Sequence, residues 1–534
     1  MAITDTSTGP AVVVAVAVAV VLVSTLLWTA MAQLVWRPYA VGSELGRQGV
    51  RGPAYRFLVG NVGEANAMRV AASDDVLDWR CHDIVPRVLP HYRAWMSRYG
   101  KVFVSWTGPF PALCVGDYAM VKEILADRTG LYAKPDPGAS ILALFGNGLA
   151  FVNGDDWVRH RRVVHPAFAM DKLKMMTKTM AECAREVIRA WEARAAAAAA
   201  DGERMVQVEV GEQFQELTAD VISHTAFGSS YRQGKEVFVA QRELQFIAMS
   251  ALNSVRIPGL QYIPTKANIR RRQLAKKVRG TLMAIIRERQ AAVAKEGRGY
   301  GNDLLGLMLE ANAAAGGGAR SMTMDEIVDE CKTFFFAGHD TTSHLLTWAM
   351  FLLGTHPEWQ QRLREEVLRE CGGGGDTEAI LNGDALNKLK LMTMVLYETL
   401  RLYGPVSMLV RMTAAEVELG GVRVPEGTMT MIPVAILHRD ADVWGADAGE
   451  FDPLRFRGGV NKAATQAGAL LAFSLGQRSC IGQDFAMLEA KTTLAMILRR
   501  FAFEVSPEYV HAPLDFLTLQ PQCGLPVVLK LLDQ

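Results

Sequence analysis

Excess charge of one sign, closely spaced cysteines and internal repeats are all missing from this chain. Its 57 lysines and arginines balance 56 acidic residues, so the formal net charge is only +1. Nothing electrostatic favours a nucleic acid or another polyanion as partner. The cysteines, Cys81, Cys114, Cys183, Cys331, Cys371, Cys480 and Cys523, are odd in number and contain no CxxC spacing. That excludes an evident disulfide framework or zinc cluster and reads as thiols kept reduced on a cytosolic face. What the chain does have is apolar mass, because 50% of its 534 residues are hydrophobic, ample for a large core.

Charge is also absent from Ala11 to Trp36, AVVVAVAVAVVLVSTLLWTAMAQLVW. A bilayer-spanning helix needs about 20 apolar residues, so this run is long enough. A cleaved signal peptide is the competing reading, with AMA at 30–32 as its cleavage site. No Lys or Arg precedes the run, however, and it exceeds a typical signal core. Arg37, Arg47, Arg51 and Arg56 follow it against Glu44 alone, which places the bulk of the chain in the cytosol. Residues 1–36 therefore read as an uncleaved single-pass anchor. Pro38 and RGPAY (51–55) predict a stiff, non-helical hinge over 37–56.

Residues 57–534 read as one large, mainly α domain with a small β-sheet region. A long helix is predicted over 170–200. Another is predicted over 356–371, where Thr355 and Glu358 have capping-box spacing and Pro357 falls in the first turn. AAAGGGA (313–319) and CGGGGDT (371–377) read as surface turns, since helical patterning resumes after each. Strands are expected only in GKVFVSW (100–106), ALCV (112–115) and VELGGVRVPEGTMTMIPV (417–434).

TMDEIVDECKTFFFAGHDTTSHLLTWAMFLLGT predicts a buried helix that opens with a Thr323–Glu326 capping box and runs to about Gly354. At its middle lies AGHDTT (337–342), polar residues after a glycine. Glycine there costs about 1 kcal/mol against alanine, and the Thr341 hydroxyl can bond the Ala337 carbonyl one turn back. These residues make either an ordinary kink or a local groove. Glu398 and Arg401 of YETLR share a helical face. FDPLRF (451–456) and FSLGQRSCIG (473–482) follow in order.

WVRHRR, AGHDTT, ETLR, FDPLRF and FSLGQRSCIG, in that order, resemble the cytochrome P-450 superfamily of haem-thiolate monooxygenases. The cysteine stretch fits the family pattern FxxGxRxCxG at every fixed position. The texture is most similar to the plant clan numbered seventy-two, nearest its seven-hundred-and-nine family. The resemblance implies haem b, iron protoporphyrin IX, with Cys480 as the thiolate metal ligand. It also implies dioxygen, and NADPH electrons delivered by a separate NADPH-cytochrome reductase.

Cys480 is expected at the N-terminus of a helix starting at 481, where free N–H groups lower a thiol pKa. Gly476 and Gly482 are expected to let backbone approach the porphyrin, with Phe473 packing beneath it. By resemblance, Trp157, Arg161, Arg411 and Arg478 hold the haem propionates, while Arg159 and Arg162 face solvent or a partner. Glu398, Arg401 and Arg455 resemble the family's buried ion triad, although Leu454 stands where glutamate is common. Asp340 and Thr341 resemble the catalytic acid–alcohol pair that delivers protons to dioxygen lying in the groove at Gly338. His339 is expected to face packing or solvent.

The function implied is hydroxylation of a lipophilic small molecule at the endoplasmic reticulum membrane, with membrane lipid as a second partner and the catalytic domain in the cytosol. A haem-thiolate isomerase or lyase acting on lipid hydroperoxides, and a non-catalytic haem or lipid binder, are the alternatives. The acid–threonine pair and the uninterrupted cysteine loop favour the first. Segments 134–150, 244–262, 404–410 and 515–519 are expected to line an apolar pocket. Phe145, Met408, Leu409 and Phe516 serve equally well there or as core. Fatty acids and hormones of terpenoid, steroid or adenine type all remain open as substrates.

Overall fold

A 32-residue helix, Met324–Thr355, organises the molecule. It starts where the sequence predicts, because the Thr323 N–H donates to Glu326 Oε2 at 2.7 Å and the Glu326 N–H donates to Thr323 Oγ1 at 3.2 Å. Residues 342–353 of this central helix are buried on every face, so the fold closes around it. Helix Val210–Phe227 packs along one side. A Cβ on Gly338 would come within 2.6 Å of Ile222 Cδ1, so the glycine lets these two helices approach.

The computed structural model describes residues 9–200, 205–228, 231–255, 259–296, 299–314, 321–372 and 383–532. The predicted helix Met170–Ala200 is present. Pro357–Cys371 is present too, but Thr355 does not cap it. The Thr355 hydroxyl donates to the Phe351 and Leu352 carbonyls, each at 3.0 Å, inside its own helix. Most of the two glycine-rich turns, AAAGGGA and CGGGGDT, lies outside the described residues.

The apolar N-terminal run forms helix Gly9–Met31, exposed along its described length. In place of the hinge expected after it, a π-helical turn, Ala32–Trp36, leads directly into helix Arg37–Arg47, with Pro38 in the first turn. The wide turn removes the need for the hydrogen-bond donor that proline lacks. This second helix docks on the body through Pro38, Val41 and Leu45, and the Arg37 guanidinium donates to the Glu426 carbonyl at 2.8 Å. RGPAY is non-helical as expected, but it runs against a strand, with the Val104 N–H donating to Arg51 O at 3.1 Å.

Strands β1 (Val102–Thr107), β2 (Phe110–Val115), β3 (Tyr132–Ala133), β5 (Leu409–Thr413) and β8 (Met429–Ile432) make a sheet in the order β1-β2-β8-β5-β3. Only the β2–β8 pairing is parallel. β6 (Val417–Leu419) and β7 (Val422–Val424), within the stretch where strand is expected, form an antiparallel hairpin across Gly420 and Gly421. More strand is present than the sequence reading expects. β4 (Val206–Glu209), β12 (Pro526–Leu531) and β9 (Phe501–Val505) form a second sheet, and β10 (Pro513–Phe516) and β11 (Thr518–Pro521) a hairpin. β4 meets β12 across more than half the chain, a pairing that no local pattern announces.

Apolar side chains gather in two cores, one around the helices and one around the five-stranded sheet. The seven cysteines are all unbonded. Because Thr323 is an exposed cap on the central helix, Thr323→Ala is expected to cost about 1 kcal/mol and Thr323→Ser little. Thermal midpoints of the two variants against wild type check this.

Candidate active site

The cysteine loop is built from backbone. The Ser474 N–H donates to Leu471 O at 2.8 Å, the Ser479 N–H to Gly476 O at 3.1 Å and the Cys480 N–H to Phe473 O at 2.9 Å. Gly476 has φ +70°, and a Cβ there would lie 2.3 Å from the Leu125 carbonyl. Its smallness therefore serves packing against helix Tyr118–Ala126. At Gly482 a Cβ would meet only ordinary contacts, Phe168 at 3.8 Å and Cys480 Sγ at 3.9 Å. Phe473 is half-buried against the helical core.

Cys480 is exposed to open space, although it is enclosed deeply enough for burial to push its thiol pKa up. A hydrogen bond from the Gly482 N–H and the nearby Arg161 charge pull it the other way. The net rise in the protein alone differs from the lowering expected. The reason is burial, which outweighs both, with the Asp484 charge adding to it; the helix itself begins at Gln483 with Gly482 as its cap, two residues later than predicted. Arg161, half-buried, donates to Ser479 O at 3.2 Å and so braces the cysteine loop.

Phe168 connects this loop to the central helix, its ring centroid lying 5.6 Å from that of Phe334. Further along, Ala337 is exposed and Thr341 half-buried, between residues 330–336 and 342–353, which are all buried. The Thr341 hydroxyl donates to Ala337 O at 2.6 Å, as its spacing predicts. The open face of the helix is thus formed by Ala337 and Thr341, whereas Gly338, expected to form it, faces Ile222. Asp340 is buried, and its Oδ2 accepts a hydrogen bond from Thr518 Oγ1 at 2.5 Å, with His344 Nδ1 at 3.8 Å. Neither Thr518 nor His344 carries a motif in the sequence. His339 packs beside Phe238 with Nδ1 3.1 Å from Thr218 Oγ1, and burial pushes its pKa down to about 4.

A cation cluster completes the site. Arg478 lies over the Trp157 ring at 5.1 Å and donates to Val152 O at 2.6 Å and Asn153 Oδ1 at 3.0 Å. Asn153 also bonds the backbone of Lys134 in both directions, at 2.9 and 3.0 Å. Buried Arg411 donates to its neighbour's carbonyl, Val410 O, at 2.9 Å. Burial, then the Arg411 and Arg478 charges, hold the Lys134 pKa well below its usual value. Burial takes Arg411 and Arg478 each down to about 10. None of the three has a salt bridge among the described residues. Lys134 is the member that sequence reasoning missed, since a lone lysine opening KPDP has no distinctive spacing.

Arg159 is not free for solvent or a partner. It donates to Glu326 at 2.6 and 3.0 Å and to Asp156 at 2.8 Å, tying its helix, Gly154–Val164, to the central one. Arg162 is exposed. Glu398 and Arg401 form a fully buried bidentate pair at 2.7 Å, and Arg455 Nε lies 3.7 Å from Glu398 Oε1. Leu454 is exposed and leaves that network intact.

A family model described as Cytochrome P450 matches residues 88–524. The chain belongs to the cytochrome P450 family. P450s are monooxygenase oxidoreductases that use haem b iron, dioxygen and reductase-supplied electrons. This P450 is 43% identical to Cytochrome P450 709B1 of Arabidopsis thaliana over 527 residues, 98% of this chain and 100% of the relative. It is 44% identical to Cytochrome P450 734A6 of Oryza sativa subsp. japonica over 94% of each chain. Secologanin synthase 2 of Catharanthus roseus is 39% identical over 96% of each.

The side chains present fit haem b. A thiol bordering open space can meet iron, and unpaired Lys134, Arg411 and Arg478 complement two carboxylates. Losing one charge-assisted bond to a carboxylate costs about 1.5–3 kcal/mol. Lys134→Met is therefore expected to raise the rate of haem transfer to apomyoglobin by about tenfold or more, while Arg162→Met leaves it unchanged.

Proposed function

We propose that this P450 is a membrane-anchored hydroxylase of lipophilic small molecules. The observation that carries the reading is the cysteine loop, which offers one open thiol, together with the cluster of Lys134, Arg411 and Arg478, none of which has a salt bridge among the described residues. When bound, haem b supplies the iron at which dioxygen is activated. Cys480 is the metal ligand, and the Gly482 N–H and Arg161 stabilise negative charge on its sulfur. Lys134, Arg411 and Arg478 receive the propionates, Trp157 backs Arg478, and Phe473 packs against the ring.

Thr341 and Asp340 handle protons. The Thr341 hydroxyl lies on the open face of the central helix, and by releasing Ala337 O it can donate into the pocket. Asp340 is the adjacent acid, held by Thr518. An isomerase or lyase has no use for such a pair, which favours the hydroxylase. Apolar segments around the site exclude water and admit a lipophilic substrate.

The N-terminal helix is part of a continuous helical stretch, Val12–Arg47, with an uncharged first portion long enough to cross a bilayer. We place it in the endoplasmic reticulum membrane with the catalytic domain in the cytosol, where NADPH-cytochrome reductase supplies electrons.

Cys480→Ala is expected to abolish the red-shifted Soret band of the reduced carbon monoxide complex, which needs a thiolate on the iron. A variant that keeps the band removes Cys480 from the iron.

Thr341→Ala is expected to bind haem and substrate but to lose coupling. NADPH consumption continues, hydrogen peroxide is released, and product per NADPH falls markedly, since general acid help is worth about 100- to 10,000-fold. Thr342 lies about 100° further round the helix and is buried, so Thr342→Ala has the smaller effect. Product and peroxide per NADPH, measured for all three proteins, decide the point; unchanged coupling in Thr341→Ala reopens the isomerase alternative.

A further inference from the structure

Three of the segments expected to line the pocket meet at the β10–β11 hairpin. The Leu519 N–H donates to Pro405 O at 2.9 Å, joining the hairpin to 404–410. Gln245 Nε2 donates to Phe516 O at 3.0 Å, and the Phe246 and Phe516 rings pack at 4.8 Å, joining it to helix Tyr231–Leu252. The hairpin turns on the single residue Leu517, held at φ 66°. Such a conformation is costly for a branched side chain and persists only where the surroundings impose it.

Within 404–410 and 515–519, Asp515 is the one ionisable residue. Its Oδ2 accepts a hydrogen bond from buried Ser407 Oγ at 2.5 Å. Its Oδ1 accepts none among the described residues, and the side chain is only half-buried. Burial raises its pKa, against the opposing effects of Ser407 and Arg69. Arg69 does not neutralise it by a salt bridge. The Arg69 guanidinium is committed to Asn66 at 2.9 Å, Asn253 at 3.1 Å and His91 Nε2 at 3.2 Å. One carboxylate oxygen is thus oriented by a buried hydroxyl, and the other, on a half-buried side chain between segments of mostly apolar residues, has no hydrogen-bond donor among the described residues.

We infer that Asp515, oriented by Ser407, accepts a hydrogen bond from the substrate, so that preferred substrates are lipophilic molecules carrying a hydroxyl or N–H group away from the carbon that reacts. The inference rests on the hydroxylase reading and narrows its substrate class. An apolar pocket with one placed acceptor fixes orientation as well as affinity. It discriminates strongly against an analogue whose donor is missing, because the acceptor is then buried without a partner. A free fatty acid offers no donor at that point when ionised, and its carboxylate is repelled by Asp515.

The test uses the full-length, haem-loaded protein in nanodiscs, with binding measured by calorimetry. The probes are 1-dodecanol against 1-methoxydodecane and dodecanoic acid, and cholesterol against its 3-methyl ether. In at least one set the hydroxyl member is expected to bind about ten- to hundredfold more tightly than its ether, the worth of a hydrogen bond to a charged group. Asp515→Leu erases that preference without weakening the ether. Should Asp515→Leu not load haem, Asp515→Asn, which keeps the shape and loses the charge, is expected to shrink the preference severalfold. Equal binding of hydroxyl and ether in both sets overturns the inference, as does a preference that survives these substitutions. Tightest binding of dodecanoic acid also overturns it and assigns the polar end of the pocket to Arg69. Failure of both hydroxyl probes to bind counts against it equally. The reduced carbon monoxide band separates the levels: a wild type with the band but no hydroxyl preference fails this inference alone, and a wild type without it fails the hydroxylase reading too.

Discussion

Arg401 is the constraint on which the proximal half of the molecule hangs. Its Nε and Nη2 donate to the two Glu398 oxygens, its Nη1 to His438 O and Ala448 O, and its Nη2 also to Glu450 O. All five N–H directions of a buried guanidinium are thereby filled, three of them by carbonyls remote in sequence. Glu398 Oε1 in turn takes the Asp452 N–H. A buried pair of this kind is weak evidence for stability, yet removing one partner costs about 3–5 kcal/mol because the other charge is stranded. Its use is to fix the course of an irregular stretch, residues 438 to 452, that has little secondary structure of its own.

His438 extends that control to the thiol. Burial, then the Arg401 and Arg439 charges, hold its pKa down to about 3, so the ring is neutral. Its Nε2 accepts the Leu471 N–H at 2.9 Å, which leaves Nδ1 to donate to Arg401 O at 3.1 Å. Leu471 opens the segment that closes on itself at Phe473 and Cys480. A continuous path of directional bonds therefore runs from a helical ion pair to the candidate metal ligand. Directional bonds, unlike apolar packing, specify the position of a backbone carbonyl or amide, and a ligand sulfur needs that specification.

On the other side of the site the polar groups are few. Asp340 is buried with Thr518 as its one hydroxyl donor, and His344 Nδ1 nearby has no hydrogen-bond partner among the described residues. The same hairpin carries Asp515, so the hydroxyl that holds the acid and the carboxylate bonded to Ser407 lie on either side of one turn at Leu517. Lys134, Arg411 and Arg478 are likewise costly when gathered without an anion. Unpaired groups of this kind lower stability, and they mark where the protein expects something else to bind.

The sequence by itself determined the anchor run, the capped central helix, the thiol at Cys480 and the class of chemistry, because each is written in local spacing or an ordered motif. It also determined the Thr341 back-bond and the Glu398–Arg401 pair, since helical geometry brings residues three or four apart together. Only the tertiary structure decided the rest. It showed that Pro38 continues a helix, that Gly338 and Gly476 serve packing, and that Arg159 is paired. It also brought Lys134 near Arg411, His438 to Leu471, Thr518 to Asp340 and Asp515 to Ser407. Apart from Pro38, each of these depends on a partner in another part of the chain: Ile222, Leu125, Glu326, Arg411, Leu471, Asp340 or Ser407. A one-dimensional pattern records which face of an element a residue occupies, but the atom it meets there is set by how the elements pack.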